Sequence, residues 1–411
     1  MANVEIDGVN SKVYTDQVDP KTGTTLTLGT SGDTVSVPSG VTIANSGTAT
    51  GFGDSSNFLP IAQPFFINSN MQIYQRGYNF TGVTAATTYS ADRWRYETGN
   101  IGTYEMNNTQ VTAGPAYNDG FRQCARIDCT TADGSPASSD YLYFGYSAEA
   151  QDCLAWKKGT TSATTMTLSF WVKSNKTGTA QVNLRDMDNG RMVSATYSIS
   201  SADTWEQIIV TFPMETSNKL NNDNGSGFNF EWWLGAGSNF TSGAAPTSWE
   251  ATTDADRGVN NLAINDNTAN DWSITGIQAE VGSYTSSTIP PYQWETYAAN
   301  LLRCQRYFQE IMSGESQNPL CNFVSYASGV LRGTYILPTQ MRANPTQTDG
   351  AALSDFDILG ENTNFAPTAL GAESLTKNSF VVTASSSSST QGSVYWCRGD
   401  AEATYTLDAE L

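Results

Sequence analysis

Residues 165–173 read Thr165-Met166-Thr167-Leu168-Ser169-Phe170-Trp171-Val172-Lys173, and that alternation decides the fold class. Met166, Leu168, Phe170 and Val172 fall on one side of an extended chain; Thr167, Ser169, Trp171 and Lys173 fall on the other. Successive side chains of a strand point to opposite faces, so a period of two predicts one apolar face and one polar face. Residues 228–234 repeat the device, with Phe228, Phe230, Trp232 and Leu234 expected inward and Asn229, Glu231 and Trp233 outward. Further strands are expected over residues 141–146, 204–212 and 273–281, separated by loops rich in Gly, Asn and Asp. Alternation at this density predicts an all-β domain, a jelly-roll-like antiparallel β-sandwich, over residues 56–291.

Outward from this module the pattern changes twice. Pro290-Pro291 introduces a connecting helix expected over residues 292–312, where Trp294, Tyr297, Leu301, Cys304, Phe308 and Ile311 recur at helical spacing. Such a stripe suits a trimeric coiled-coil seam or a helix docked on its own sandwich. Residues 313–411 return to period two at 322–326, 329–337, 379–383, 394–397 and 403–407, which predicts a second, C-terminal β-sandwich. The Ser385–Ser389 run is expected to be a flexible loop.

Residues 1–55 hold no Trp, and Tyr14 and Phe52 are their aromatics. Leu26 with Leu28, Val35 with Val37 and Val41 with Ile43 form very short alternating patches between turn residues. Two apolar side chains per patch are too few to offset the entropy of ordering a lone chain. The segment is therefore expected to order against a partner, as a trimeric β-prism-like anchor or on another protein; a disordered polar tail is the alternative.

Composition excludes much chemistry. Twenty-one Lys and Arg against 40 Asp and Glu give a net charge of −19, which repels phosphate backbones, so no nucleic-acid partner is expected. The chain has no histidine, which removes Ser-His-Asp and Cys-His catalysis and His-ligated zinc. Cys124, Cys129, Cys153, Cys304, Cys321 and Cys397 form no CxxC pair and are expected as free buried thiols. No run of apolar residues is long enough to span a bilayer, and residues 1–10 lack the basic start and apolar stretch of a signal peptide. No membrane insertion, cofactor or metal is expected.

A resemblance enters at Asn68-Ser69-Asn70-Met71-Gln72-Ile73-Tyr74-Gln75-Arg76-Gly77 and Tyr89-Ser90-Ala91-Asp92-Arg93-Trp94. These phrases look like the opening of a β-sandwich module of bacteriophage tail-fibre proteins. Later marks match in order and spacing: residues 168–173, residues 274–282, and Cys304-Gln305-Arg306-Tyr307-Phe308. Thr24–Gly40 resembles leaders of fibre proteins from aquatic and marine phages, and Met341-Arg342-Ala343-Asn344-Pro345 is similar to a phrase that follows such modules. Where the family has an acidic-aromatic turn before the helix, this chain has Ile289-Pro290-Pro291-Tyr292-Gln293-Trp294. The resemblance implies a homotrimer, a virion location, a module akin to carbohydrate-binding modules, and no catalytic residue.

Exposed aromatic rings beside polar groups are the usual means of gripping sugars. Trp171 and Trp233 qualify if their polar faces are open, and burial at a contact is the alternative. Tyr326, Tyr335, Tyr395 and Trp396 offer further rings in the C-terminal region, with either Tyr395 or Trp396 turned inward by alternation. Asp186-Met187-Asp188-Asn189-Gly190 resembles the start of a calcium loop but lacks its distal Glu, and Arg398-Gly399-Asp400 reads as a hairpin turn. Three functions compete: a non-enzymatic tail fibre binding host-surface carbohydrate or protein, anchored to a phage tail or capsid protein through residues 1–55; a head fibre or decoration protein; and a polysaccharide depolymerase. The C-terminal region is expected to make the host contact.

Overall fold

The computed structural model describes residues 63–313, 317–349, 352–361, 364–400 and 403–411; the anchor expected over residues 1–55 lies outside them. The chain is all-β with antiparallel sheets. In the central module the strands are β1 (Asn79–Val83), β2 (Thr87–Ala91), β3 (Trp94–Gly99), β4 (Thr103–Gln110), β5 (Gln123–Thr131), β6 (Tyr141–Glu149) and β7 (Met166–Ser174). They continue as β8 (Gly178–Asp186), β9 (Arg191–Ile199), β10 (Glu206–Phe212), β11 (Ser226–Ala236), β12 (Glu250–Ala251) and β13 (Asp271–Val281). One sheet has the order β1-β4-β5-β13-β7-β10, and the facing sheet has β12-β9-β8-β11-β6-β3-β2.

The alternation read from the sequence sets the core. Phe170 and Trp272 of the first sheet meet Trp94, Phe144 and Trp232 of the second, all fully buried. Phe170 packs edge-on to Trp232 with ring centroids 5.7 Å apart. Full burial of a side chain of this size contributes roughly 1.5–3 kcal/mol, so the aromatic layer dominates the module's stability.

The helix is shorter than its spacing suggests. Thr296 caps it by accepting from the Ala299 amide, it runs Tyr297–Gln305, and the chain turns into β14 (Phe308–Ser313). Asn300 and Cys304 are buried, the latter with Ile67, Ile73 and Tyr307, so the stripe docks on its own module rather than forming an open seam. Trp294 lies before the helix and packs on Phe121 and Tyr292.

The C-terminal region adds β15 (Asn318–Ala327), β16 (Val330–Ile336), β17 (Thr346–Asp349), β18 (Phe356–Leu359), β19 (Asn364–Phe365), β20 (Ala369–Glu373), β21 (Ser379–Ser385), β22 (Val394–Gly399) and β23 (Thr404–Asp408). A sheet ordered β19-β18-β22-β15-β16-β21-β20 packs its inner face on the sheet β14-β23-β17, with Phe380 stacked on Tyr405 at 5.7 Å. The serine run is ordered at its ends: Ser386 and Ser389 are buried, and Ser389 accepts from Ser325 Oγ.

Four of the phrases that carried the family resemblance, in residues 68–77, 89–94, 304–308 and 341–345, lie around one joint. Asn68, in the left-handed region at φ 55°, bonds the Ile73 amide and carbonyl and the Asp92 carbonyl. The Gly276 amide donates to Ser69 O; at φ +63° with Phe121 where a Cβ would stand, this position in β13 requires glycine. Gln75 Nε2 donates to Phe308 O, and Arg76 pairs with Asp408 at 3.0 Å while lying over the Phe308 ring. Glu149 accepts both Arg306 Nε and Nη2 at 2.7 Å and Tyr307 Oη at 2.6 Å. Arg342 donates to Asn224 O, Ala409 O and Glu410 O. The contacts of Gln75, Arg76 and Arg342 fasten the second sandwich to the first, while those of Asn68 and Gly276 brace the first module beside them.

Candidate functional site

Period two puts Asn322, Val324 and Tyr326 of β15 on the outer face of the C-terminal sheet, with Phe323 and Ser325 inward. Register aligns Trp396 with Asn322 and Val394 with Val324, and Val324 in turn lies opposite Arg332. Cross-strand partners share a face, so Val324, Tyr326, Trp396 and Val394 stand together on this face, with Ile336 further along β16 on the same side. Trp396 is 42% exposed, Val324 52%, Tyr326 65%, Val394 67% and Ile336 78%. Apolar groups this open and contiguous mark an interaction surface more often than an accident of folding.

Polar groups flank the rings. The Arg332 guanidinium lies 4.8 Å from the Tyr326 ring centroid and pairs with Glu373 at 3.0 Å. Arg398 stands 5.9 Å from the Trp396 ring centroid and pairs with Asp357 at 3.0 Å. Each ring therefore has an arginine at its side that is itself paired with a carboxylate. Tyr326 lies four residues along β15 from Asn322, the partner of Trp396, so the rings are offset by ~13 Å along the strand. Val324 and Val394 floor the interval.

The other aromatic candidates are placed differently. Alternation between neighbours resolves at β22: Trp396 points out, and Tyr395 points in, where its hydroxyl accepts from the Thr390 amide. Tyr335 is half-buried on the inner side, stacked on Phe380. Trp171, 8% exposed, is covered by Trp205, Phe121 and Val111. Trp233 is fully buried, its Nε1 bonded to Glu231, with Phe240 against its ring and Gly258 against its edge. Both therefore fail as exposed stacking rings. The physical reason is that residues 237–262 and 110–121 fold over the polar sides of the two central sheets.

Under that cover the polar positions form closed networks. Burial alone would raise the Glu231 carboxyl, but Arg257 and Arg185 outweigh it and hold it down at about 2. Gln181 and Asn183 donate to the Arg257 carbonyl. The calcium-like turn is also engaged by the chain itself. Asp186 accepts from the fully buried Lys158 ammonium at 2.5 Å and from Asn189, and Glu215 takes the same ammonium at 2.8 Å. Arg398 and Gly399 end β22 rather than forming a hairpin turn. The six cysteines are free, and burial pushes the Cys321 and Cys397 thiols up to about 12, which keeps them protonated.

Val324, Val394, Ile336, Arg332 and Arg398 were missed by a search for aromatic residues alone. Their signal is parity: Val324 shares it with Tyr326, and Val394 and Arg398 share it with Trp396.

No family model and no curated protein matches the chain. Among solved structures, it is similar to the enzymatically active domain of tailspike protein 4 of bacteriophage CBA120, at 12% identity and TM-score 0.25, over 46% of this chain and 19% of that one. It is also similar to a sugar-binding protein from Bacteroides thetaiotaomicron, described as putative, at 12% identity and TM-score 0.28, over 53% of this chain and 100% of that one. A third is the family 11 carbohydrate-binding module of a Clostridium thermocellum cellulase, at 11% identity and TM-score 0.24, over 49% and 97%. The chain thus spans about a fifth of the tailspike structure.

Proposed function

We propose that this chain is a non-enzymatic attachment-fibre subunit of a phage virion that grips host-surface carbohydrate through the outer face of its C-terminal sheet. The observation that carries the reading is the pairing of two exposed rings, Trp396 and Tyr326, with an arginine–carboxylate pair beside each. A pyranose presents one apolar C–H face and a rim of hydroxyls, which matches a ring flanked by a donor and an acceptor. The offset of the rings suits an oligosaccharide spanning several sugar units. The virion role, the homotrimer and attachment to a tail or capsid protein through residues 1–55 rest on the sequence resemblance. Three tips per fibre would let individually weak sites act together, with an avidity gain of roughly 10²–10⁴.

Val324, Val394 and Ile336 favour a second reading, in which this face closes against another copy of the chain. Adsorption of labelled protein to host cells before and after periodate oxidation of surface glycans separates the two. The carbohydrate reading expects adsorption to fall at least about tenfold after oxidation. Unchanged adsorption contradicts it, and release of reducing ends from host polysaccharide would replace it with a depolymerase.

A further inference from the structure

On the polar side of the six-stranded central sheet lies a cavity of about 400 Å³. Arg126 of β5, Asp271 and Ser273 of β13 and Lys173 of β7 form its floor, and Trp205 stands in its wall. Register places Ser273 opposite both Arg126 and Lys173, so the floor is a single row across three strands.

The charges on that floor are unequal in commitment. Arg126 is held by Asp128 at 2.5 Å and Asp271 at 2.9 Å. Lys173 makes no ion pair or hydrogen bond among the described residues; its ammonium stands 5.7 Å from the Trp205 ring centroid. Lys173 is half-buried and has no carboxylate in ion-pair contact among the described residues. Lys158 and Lys176 each have one. Beside Lys173, the Ser273 hydroxyl is 1% exposed and has only the Cys124 thiol as a hydrogen-bonding neighbour. Two buried or half-buried polar groups thus converge on one cavity with bonding capacity unused.

We propose that this cavity binds a carboxylated sugar, a hexuronic acid unit, with its carboxylate on Lys173 Nζ and its ring beside Trp205. Ser273 and Thr109 then face its hydroxyls, and Asp271 accepts from them. The volume suits one sugar unit rather than a chain. The net negative charge of the protein does not forbid an anion there, because long-range repulsion is screened over about 8 Å at physiological salt while the Lys173 contact is direct. This site lies in the central module and is independent of the C-terminal face.

Calorimetry on the full chain tests it, with the methyl glycosides of glucuronic and galacturonic acid set against those of glucose and galactose. At least one uronide is expected to bind about tenfold or more tightly than its neutral counterpart. Lys173→Met should abolish that preference and Lys173→Arg should keep it. Trp396→Ala with Tyr326→Ala should leave it unchanged, which separates this site from the C-terminal one. Absence of uronide binding by the unaltered chain, equal affinity for neutral and acidic sugars, or a preference that survives Lys173→Met each overturns the proposal.

Discussion

Arg93 lies flat on Tyr307, its guanidinium carbon 3.4 Å from the ring centroid, and pairs with Glu410 from the last residues of the chain. Arg93 is 1% exposed, so the contact joins the first sandwich to the second inside a dry interface. Removing one partner of a buried pair leaves an uncompensated charge, which costs about 3–5 kcal/mol. Glu410→Ala leaves Arg93 without a counter-charge and is expected to lower unfolding free energy in urea by that order, and Arg93→Ala by less, because Glu410 keeps Arg76 at 3.3 Å. A loss under about 1 kcal/mol would show that the joint does not depend on this pair.

Glu231 sets an acid limb of stability. Its folded pKa, about 2, lies below the ordinary 4.5, so the stability it contributes is present above 4.5 and is lost as pH falls toward 2. The difference corresponds to roughly 3 kcal/mol. Asp92 works in the opposite sense: burial holds it up to about 6 against the pull of Arg76, so its contribution fades as pH rises through 6. Unfolding free energy measured from pH 5 to pH 3 should fall steeply in the unaltered chain and more gently in Glu231→Gln. Parallel slopes would contradict the assignment.

Lys158 acts as a built-in cation. Its ammonium satisfies Asp186, Glu215 and the Asn218 carbonyl, tying residues 213–220 to the end of β8. Lys158→Met is expected to cost about 3–5 kcal/mol, because the fully buried Asp186 carboxylate loses its counter-charge, while Glu215 keeps Arg191 at 2.9 Å. Chelation of divalent ions should leave the melting temperature of the unaltered chain where it was. A fall on chelation would mean that a metal shares this role.

The sequence carried the strands well and their cover poorly. Alternation at residues 166–172 and 228–234 placed Phe170 and Trp232 inward, as observed, because a pleated strand offers only two faces. It said nothing of whether the second face meets water, and that depends on residues 237–262 over one sheet and residues 110–121 over the other. Trp171 and Trp233, left open between exposure and burial by the sequence, are buried for this reason. At residues 292–312 the apolar spacing ran past the real helix end, since Phe308 and Met312 are equally suited to a strand packed on β23. Several phrases resembling phage fibres hold residues that lock the two sandwiches together, Gln75, Arg76, Arg93 and Arg342 among them. At the tip, Tyr326 and Trp396 were legible as candidates, while their valine and arginine neighbours emerged only once register put β15, β16 and β22 side by side.

The most direct test of the account is the affinity of the full chain for host-surface oligosaccharide, compared with that of Trp396→Ala and Tyr326→Ala. Both side chains sit on an exposed face outside the core, so each variant should fold with unchanged stability. Each substitution is expected to weaken binding roughly tenfold, and the double substitution to abolish cell adsorption. Binding that persists undiminished in the double variant would contradict the claim that this face grips the host.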